Sequence, residues 1–169
     1  GGGFADIHGP LMVGGFLGTL IGIERAAALK GWWGYGAPFF AALGALGLLA
    51  GMARQTGQIF LVMGSLWLFS ILAALVYRHR TGPLSTIALA TVLWVLGNLL
   101  WLAGYPLYRV TPWWVGFLVL TIGGERLELS RVLRPSRFAR AAFSFANGIF
   151  VLGLAASLLD FDAGVRLSG

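Results

Sequence analysis

The sequence contains no cysteine among its 169 residues. This absence excludes disulfide bonds, iron–sulfur clusters and thiolate metal sites, because each of them requires cysteine sulfur. Charged residues are also scarce, at 11% of the chain, whereas soluble domains carry about 25%. A water-soluble globule is therefore excluded, and the hydrophobic fraction of 58% indicates a protein whose apolar side chains face lipid.

The common motifs of hydrolases and ATPases are absent as well. The sequence has no His-Glu-x-x-His, no phosphate-binding loop ending in Gly-Lys-Ser or Gly-Lys-Thr, and no Gly-x-Ser-x-Gly. Each of these motifs places a nucleophile, a zinc ligand or a phosphate cradle that the chemistry needs. We therefore do not expect an enzyme of these classes.

The basic residues are dispersed rather than gathered on one soluble face. The formal net charge of +6 comes from eleven arginines and one lysine against six acidic residues, and the basic residues lie between apolar blocks. We expect them to signal membrane topology and to contact anionic lipid headgroups. Membrane lipids are thus an expected partner and nucleic acid is not.

Six apolar blocks have about the length that crosses a bilayer, 17–25 residues. They lie near residues 7–29, 37–53, 59–77, 84–103, 113–129 and 141–159. Short connectors that carry glycine, proline or charge separate them, as expected where helices end. The sequence predicts an all-α fold, a single transmembrane helix bundle over residues 1–169 whose successive helices are antiparallel neighbours.

The ends of the chain favour a fragment of a longer protein. It opens with three glycines and no initiator methionine, and its last residues resemble the entry to another helix. Arginine is preferred over lysine, and alanine and glycine are abundant, which favours a GC-rich prokaryote.

The basic residues also predict an orientation. Nine lie at the ends that follow the first, third and fifth blocks, and three lie on the opposite side (Arg25, Lys30, Arg78, Arg80, Arg126, Arg131, Arg134, Arg137 and Arg140 against Arg54, Arg109 and Arg166). The positive-inside rule places the first group in the cytoplasm and His8 outside, in a prokaryotic inner membrane. Trp113 and Trp114, like Trp32 and Trp33, are expected in the interfacial aromatic belts.

One internal similarity suggests a repeat. Residues 15–25 and 116–126 are identical at seven of eleven positions, at a fixed offset of 101. Both segments lie at the cytoplasmic ends of odd-numbered helices, so they share an orientation. We predict a parallel four-helix repeat, as some transporters use, whose second copy is incomplete here.

The first block combines a polar stripe with closely spaced glycines. Helical spacing places His8, Met12, Gly15, Thr19 and Gly22 on one face, which we interpret as a lining face. Gly14, Gly18 and Gly22 form two overlapping small-xxx-small units. Such units let a neighbouring helix approach the backbone closely, and a flat ligand is the alternative.

His8 and Met12 are candidate ligands for a metal or a haem. They lie one helical turn apart, and haem iron and copper both accept imidazole and thioether ligands. The alternative is structural: His8 would cap the helix or bond a loop carbonyl, and Met12 would pack.

Ionisable pairs occupy matching positions of the two repeat copies: Glu24 and Arg25 in the first, Glu125 and Arg126 in the second. Ionisable groups at a membrane boundary usually have partners, because leaving them alone in lipid is costly. We expect a clasp in which a glutamate of one copy pairs with an arginine of the other. A proton or ion path is the alternative.

Two further features are predicted to serve contacts. A basic turn follows the fifth block and is expected to bind lipid headgroups, an acidic partner and haem propionates being the alternatives (Arg131, Arg134, Arg137 and Arg140). Asn98, in the middle of the fourth block, is expected to donate and accept hydrogen bonds between helices.

The segments 8–25 and 116–131 resemble uncharacterised prokaryotic multi-helix membrane proteins, which are distantly similar to the NnrS family. That family is linked to nitric-oxide stress and is described as containing haem and copper. His8, Met12 and Gly15-Phe16 occupy the places of a histidine-rich opening on its early helix. The resemblance implies a haem or copper cofactor. Since the family has more histidines in this opening, it also implies further ligands beyond Gly169 or on a partner chain.

Three functions remain open from the sequence. The first is a haem- or copper-associated membrane protein of respiratory or nitrogen-oxide metabolism. The second is a non-catalytic accessory subunit of a larger membrane complex, with protein subunits as its partners. The third is a transporter or channel half, with Glu24 and Glu125 near the pathway.

Overall fold

The structure is a computed structural model that describes residues 4–29 and 31–129, and six isolated positions at 141, 145, 148, 149, 152 and 153. All the regular structure in this part of the chain is helical. The elements are α1 (Phe4–Pro10), a π-helix (Leu11–Leu17), α2 (Gly18–Leu29), a 3-10 turn (Trp32–Tyr35), α3 (Gly36–Leu49), α4 (Arg54–His79), α5 (Gly82–Leu102) and α6 (Leu107–Leu129). The first three run on as one rod, which we call the first span.

The predicted all-α class is confirmed for the described residues, which contain fewer long helices than the six predicted for the whole chain. Five long helices are described, and four are long and apolar enough to cross a membrane (Ile7–Leu29, Trp32–Leu49, Arg54–His79 and Gly82–Leu102). In α6 the apolar stretch between Arg109 and Glu125 covers only about 22 Å at 1.5 Å per residue, whereas a bilayer core is about 30 Å thick. The predicted sixth helix near 141–159 lies outside the described residues, except for isolated positions.

Two helices end at glycines with a left-handed backbone. Gly51 follows α3 with φ 77° and Gly104 follows α5 with φ 89°. In both, the backbone amide of the residue after the glycine donates to a carbonyl of the last helical turn. Met52 N donates to Gly47 O at 2.9 Å, and Tyr105 N donates to Leu100 O at 3.1 Å. This motif satisfies carbonyls that a helix end leaves without partners. It ends α3 at Leu49, earlier than the predicted residue 53.

Successive helices pack as antiparallel neighbours, most extensively α5 with α6 and α3 with α4. The first span packs against three of these helices: Gly15 faces Ala45 of α3, Gly14 faces Leu61 of α4 and Gly18 faces Trp94 of α5. The first span thus contacts three other helices through its glycines.

Tryptophans form the centre of the core, which corrects one expectation. Trp114 is 1% exposed and Trp113 is also buried, so neither belongs to an interfacial belt, whereas Trp32 and Trp33 are exposed. The Trp114 ring meets Trp101 edge to face with centroids 5.7 Å apart. Because Asn98 accepts the Trp114 indole hydrogen at 3.0 Å, the polar end of this ring is satisfied without water.

Candidate functional site

The first span contains a π-helix between its two α-helical pieces. Gly18 N donates to Val13 O, five residues earlier, as the π geometry requires. Pro10 lies immediately before it, lacks a backbone N–H and crowds the carbonyl four residues back, so the ordinary helical register is disturbed there. π-Helices are rare and occur frequently at functional sites. The region around Met12 is therefore a candidate site.

The π-helix separates the predicted lining stripe into two faces. It winds by i→i+5 hydrogen bonds, so side chains that follow it are rotated relative to those before it. His8 and Met12 are exposed, whereas Gly15 and Gly22 are buried and Thr19 is intermediate. The predicted single lining face is therefore wrong, and His8 and Met12 share an exposed face instead.

The buried face of the first span is the one that carries the spaced glycines. A Cβ atom at Gly14 would lie 3.2 Å from Leu61, and one at Gly22 would lie 2.9 Å from Pro38. At Gly18 a Cβ atom would overlap the indole of Trp94. These glycines therefore admit side chains and backbone of other helices, which is the contact that small-xxx-small spacing predicts.

Arg25 is the buried charge at the end of this glycine face. Its side chain is 9% exposed, and its Nη2 atom donates to Glu125 Oε1 at 3.1 Å. The Oε1 atom of Glu24 lies 3.6 Å from Nη2, and the Oε2 atom of Glu128 lies 3.8 Å from Nη1. We call Arg25 and these three glutamates the arginine cluster. It ties the second half of α2 to the last turns of α6.

The arginine cluster pairs an arginine of the first segment with a glutamate of the second, in the arrangement expected of a clasp. The reciprocal pair of Glu24 with Arg126 is not among the ion pairs of the described helices, and Arg126 is exposed. The first span and α6 run parallel, because Gly9 lies near Trp114 while the two ends meet at Arg25. The four-helix repeat itself stays a prediction.

Asn98 joins three helices in the middle of the bundle. It is 1% exposed, its Nδ2 atom donates to Leu61 O at 3.3 Å, and its Oδ1 atom accepts from Trp114 Nε1 at 3.0 Å. The side chain is thus both donor and acceptor between helices, as its position in the fourth apolar block indicated. Such bonds fix the register of α4, α5 and α6.

Sequence reasoning missed a second buried polar contact. Gln58 Nε2 donates to Trp101 O at 3.0 Å, and the Arg54 guanidinium lies 5.4 Å from the centre of the Trp101 ring. The sequence carried a signal for this contact, since the polar residues Arg54 and Gln58 are one turn apart at the start of α4.

The predicted headgroup contacts at Arg131, Arg134, Arg137 and Arg140 lie outside the described residues.

The donors available for a metal are few in the part of the chain that the structure describes. No group of three or more histidine, cysteine, aspartate or glutamate side chains is arranged to hold an ion there. His8 and Met12 provide one imidazole and one thioether on the same exposed face. This pair suits haem iron or copper, and further donors have to come from a porphyrin, from elsewhere in the chain or from another chain.

These features define a class of protein: over its described residues the chain is all-helical, with four helices that are long and apolar enough to cross a membrane. The chain belongs to the family described as "Domain of unknown function (DUF8744)", whose profile matches residues 1–169. No curated protein and no solved structure matches it.

Proposed function

We propose that the chain is a polytopic protein of a prokaryotic inner membrane, with His8 on the outer side and the arginine-rich connectors in the cytoplasm. Four long apolar helices support the membrane placement. The excess of basic residues at the ends of the first span and α4 supports the orientation. The arginine cluster then lies at the cytoplasmic end of the bundle and the π-helix in its outer half.

We propose further that the outer end of the first span holds a haem or a copper ion, for respiratory or nitrogen-oxide metabolism. The observation that supports this is the exposed pair of His8 and Met12, displaced from the glycine face by the π-helix. Neighbours on one helix face cannot bind opposite sides of one iron. For haem, one of them binds the iron and the other packs beside the ring, whereas both can bind a single copper ion.

Replacing His8 by alanine should abolish the visible absorption band or the bound copper of the purified full-length protein. His8 is exposed, so its truncation leaves the packed core intact and the loss reports ligation. The measurement is an optical spectrum with metal analysis, made beside size-exclusion chromatography to verify folding. His79→Ala is the matched control, because His79 is also exposed and lies at the opposite end of the bundle.

An unchanged spectrum and metal content in His8→Ala would remove His8 from the site. Absence of haem and copper from the wild-type protein, with co-purification of other subunits at fixed stoichiometry, would instead identify an accessory subunit of a membrane complex. The two outcomes are distinguishable in the same preparation.

A second candidate function is a transporter or channel half, and the arginine cluster favours it. Three carboxylates surround one guanidinium, so the arginine cluster itself carries a formal excess of negative charge. Such a site attracts a cation or passes a proton. We expect Glu24→Gln and Glu125→Gln to reduce ion flux into proteoliposomes, with Arg126→Gln as the control. Flux that is indifferent to both glutamates would exclude the pathway.

A further inference from the structure

The surface between α4 and α5 holds a groove of about 730 Å³. The end farther from the α4–α5 connector is lined by apolar side chains that include Phe69, Ala73 and Leu89. Its other end lies where α4 meets α5, and there the lining is polar: Tyr77, Arg80 and Ser85. The groove is thus apolar along the helices and polar at the connector, which is the polarity of a phospholipid.

Arg80 is the charge at the polar end of the groove. It ends α4 in a left-handed conformation with φ 35°, the one positive φ of a described residue other than glycine, and its amide donates to Val76 O at 2.8 Å. Within residues 4–29 and 31–129, Arg80 forms no ion pair with a carboxylate. Residues 78–86, from the end of α4 to the first turn of α5, include no acidic residue either. A guanidinium in this setting is available for an external anion.

We propose that this groove binds one anionic phospholipid, with the phosphate on Arg80, the headgroup region beside Tyr77, and an acyl chain along Ala73 and Leu89. The inference rests on the proposed membrane placement, because the apolar wall then faces the acyl chains of the same leaflet. It does not depend on haem or copper. This proposal differs from a general attraction of basic loops to lipid, since Arg80 is the one basic residue within 4–29 and 31–129 that lines the apolar groove.

The test is retention of lipid by the purified full-length protein, measured by native mass spectrometry after equilibration with equal amounts of phosphatidylglycerol and phosphatidylcholine. We expect the wild-type protein to retain phosphatidylglycerol preferentially. Arg80→Gln should reduce its retention roughly fivefold, the effect of about 1 kcal/mol for one arginine near a membrane surface. Arg78→Gln is the matched control, because Arg78 is exposed in the last turn of α4, two residues before Arg80, and does not line the groove.

A second variant tests the apolar part. Ala73→Trp fills the groove without touching Arg80 and should reduce phosphatidylglycerol retention as well. Equal losses in Arg78→Gln and Arg80→Gln would overturn the site, and so would full retention in Ala73→Trp or displacement of the lipid by inorganic phosphate. The membrane placement is checked separately, by whether each variant stays in the membrane fraction after an alkaline wash. Neither result depends on the His8 spectrum.

Discussion

Replacing Gly18 by leucine should abolish the packed bundle, so that little monodisperse protein is recovered from the membrane in detergent. A single added Cβ atom at this position already overlaps the indole of Trp94. Trp94 cannot move aside, because it is fully buried and stacks on Phe117 with ring centroids 4.9 Å apart. Overpacking of a core usually costs about 1–3 kcal/mol, which we expect for Gly18→Ala, and more for leucine.

The measurement is thermal unfolding of the detergent-solubilised protein, followed by size-exclusion chromatography. Gly9→Ala is the matched control on the same span, since its Cβ atom would meet only Trp114 at 4.0 Å. It should be neutral or slightly stabilising, because alanine favours the helix over glycine by about 1 kcal/mol. Trp94→Phe should partly rescue Gly18→Ala. Equal behaviour of Gly18→Ala and Gly9→Ala would contradict the close approach of the first span to α5.

Neutralising Glu125 should destabilise the protein more than removing Arg25. The Arg25 side chain is 9% exposed, whereas the side chains of Glu125 and Glu128 are 32% and 49% exposed. Glu125→Gln leaves a buried guanidinium without its hydrogen-bonded carboxylate, a change that costs about 1–3 kcal/mol, reduced here by the remaining two glutamates. Arg25→Met removes the one buried charge of the arginine cluster and leaves partly exposed carboxylates that water can solvate, so no uncompensated charge stays buried.

Thermal unfolding in detergent at one pH and ionic strength compares the two variants. The double variant Arg25→Met with Glu125→Gln should recover most of the stability lost in Glu125→Gln alone, because no buried charge remains. Arg126→Met controls for the loss of a basic residue at an exposed neighbouring position. If Arg25→Met proves at least as destabilising as Glu125→Gln, the ion pair contributes net stability and the desolvation argument is wrong.

The local signals in the sequence predicted the helices well and the spans less well. Glycines at the connectors marked the ends of α3 and α5, because a left-handed residue such as Gly51 or Gly104 is needed there. α6 was expected to span the membrane because its middle is apolar. The apolar stretch between its charged residues Arg109 and Glu125 is shorter than a bilayer core is thick, and α6 is not among the four described helices that are long and apolar enough to cross a membrane. This difference could have been found by counting residues between the charges.

The sequence predicted which residues belong to the candidate site, but not which of them share a face of the first span. His8 and Met12 were assigned to one face with Gly15, since a uniform α-helix was assumed. Pro10 was the one local signal against that assumption. Gly15, within the π-helix, also lies against Ala45 of α3, a contact that spans thirty positions of sequence and has no local signature.

By itself the sequence determined what depends on composition and on neighbours along the chain: an all-helical, apolar protein, glycines spaced for close packing, and Asn98 placed to bond between helices. Only the tertiary structure decided which side chains meet. It buried Trp114 beside Asn98, paired Arg25 with Glu125, and turned His8 and Met12 outward. These outcomes depend on the relative rotation and register of helices, which packing across distant segments sets and no local pattern encodes.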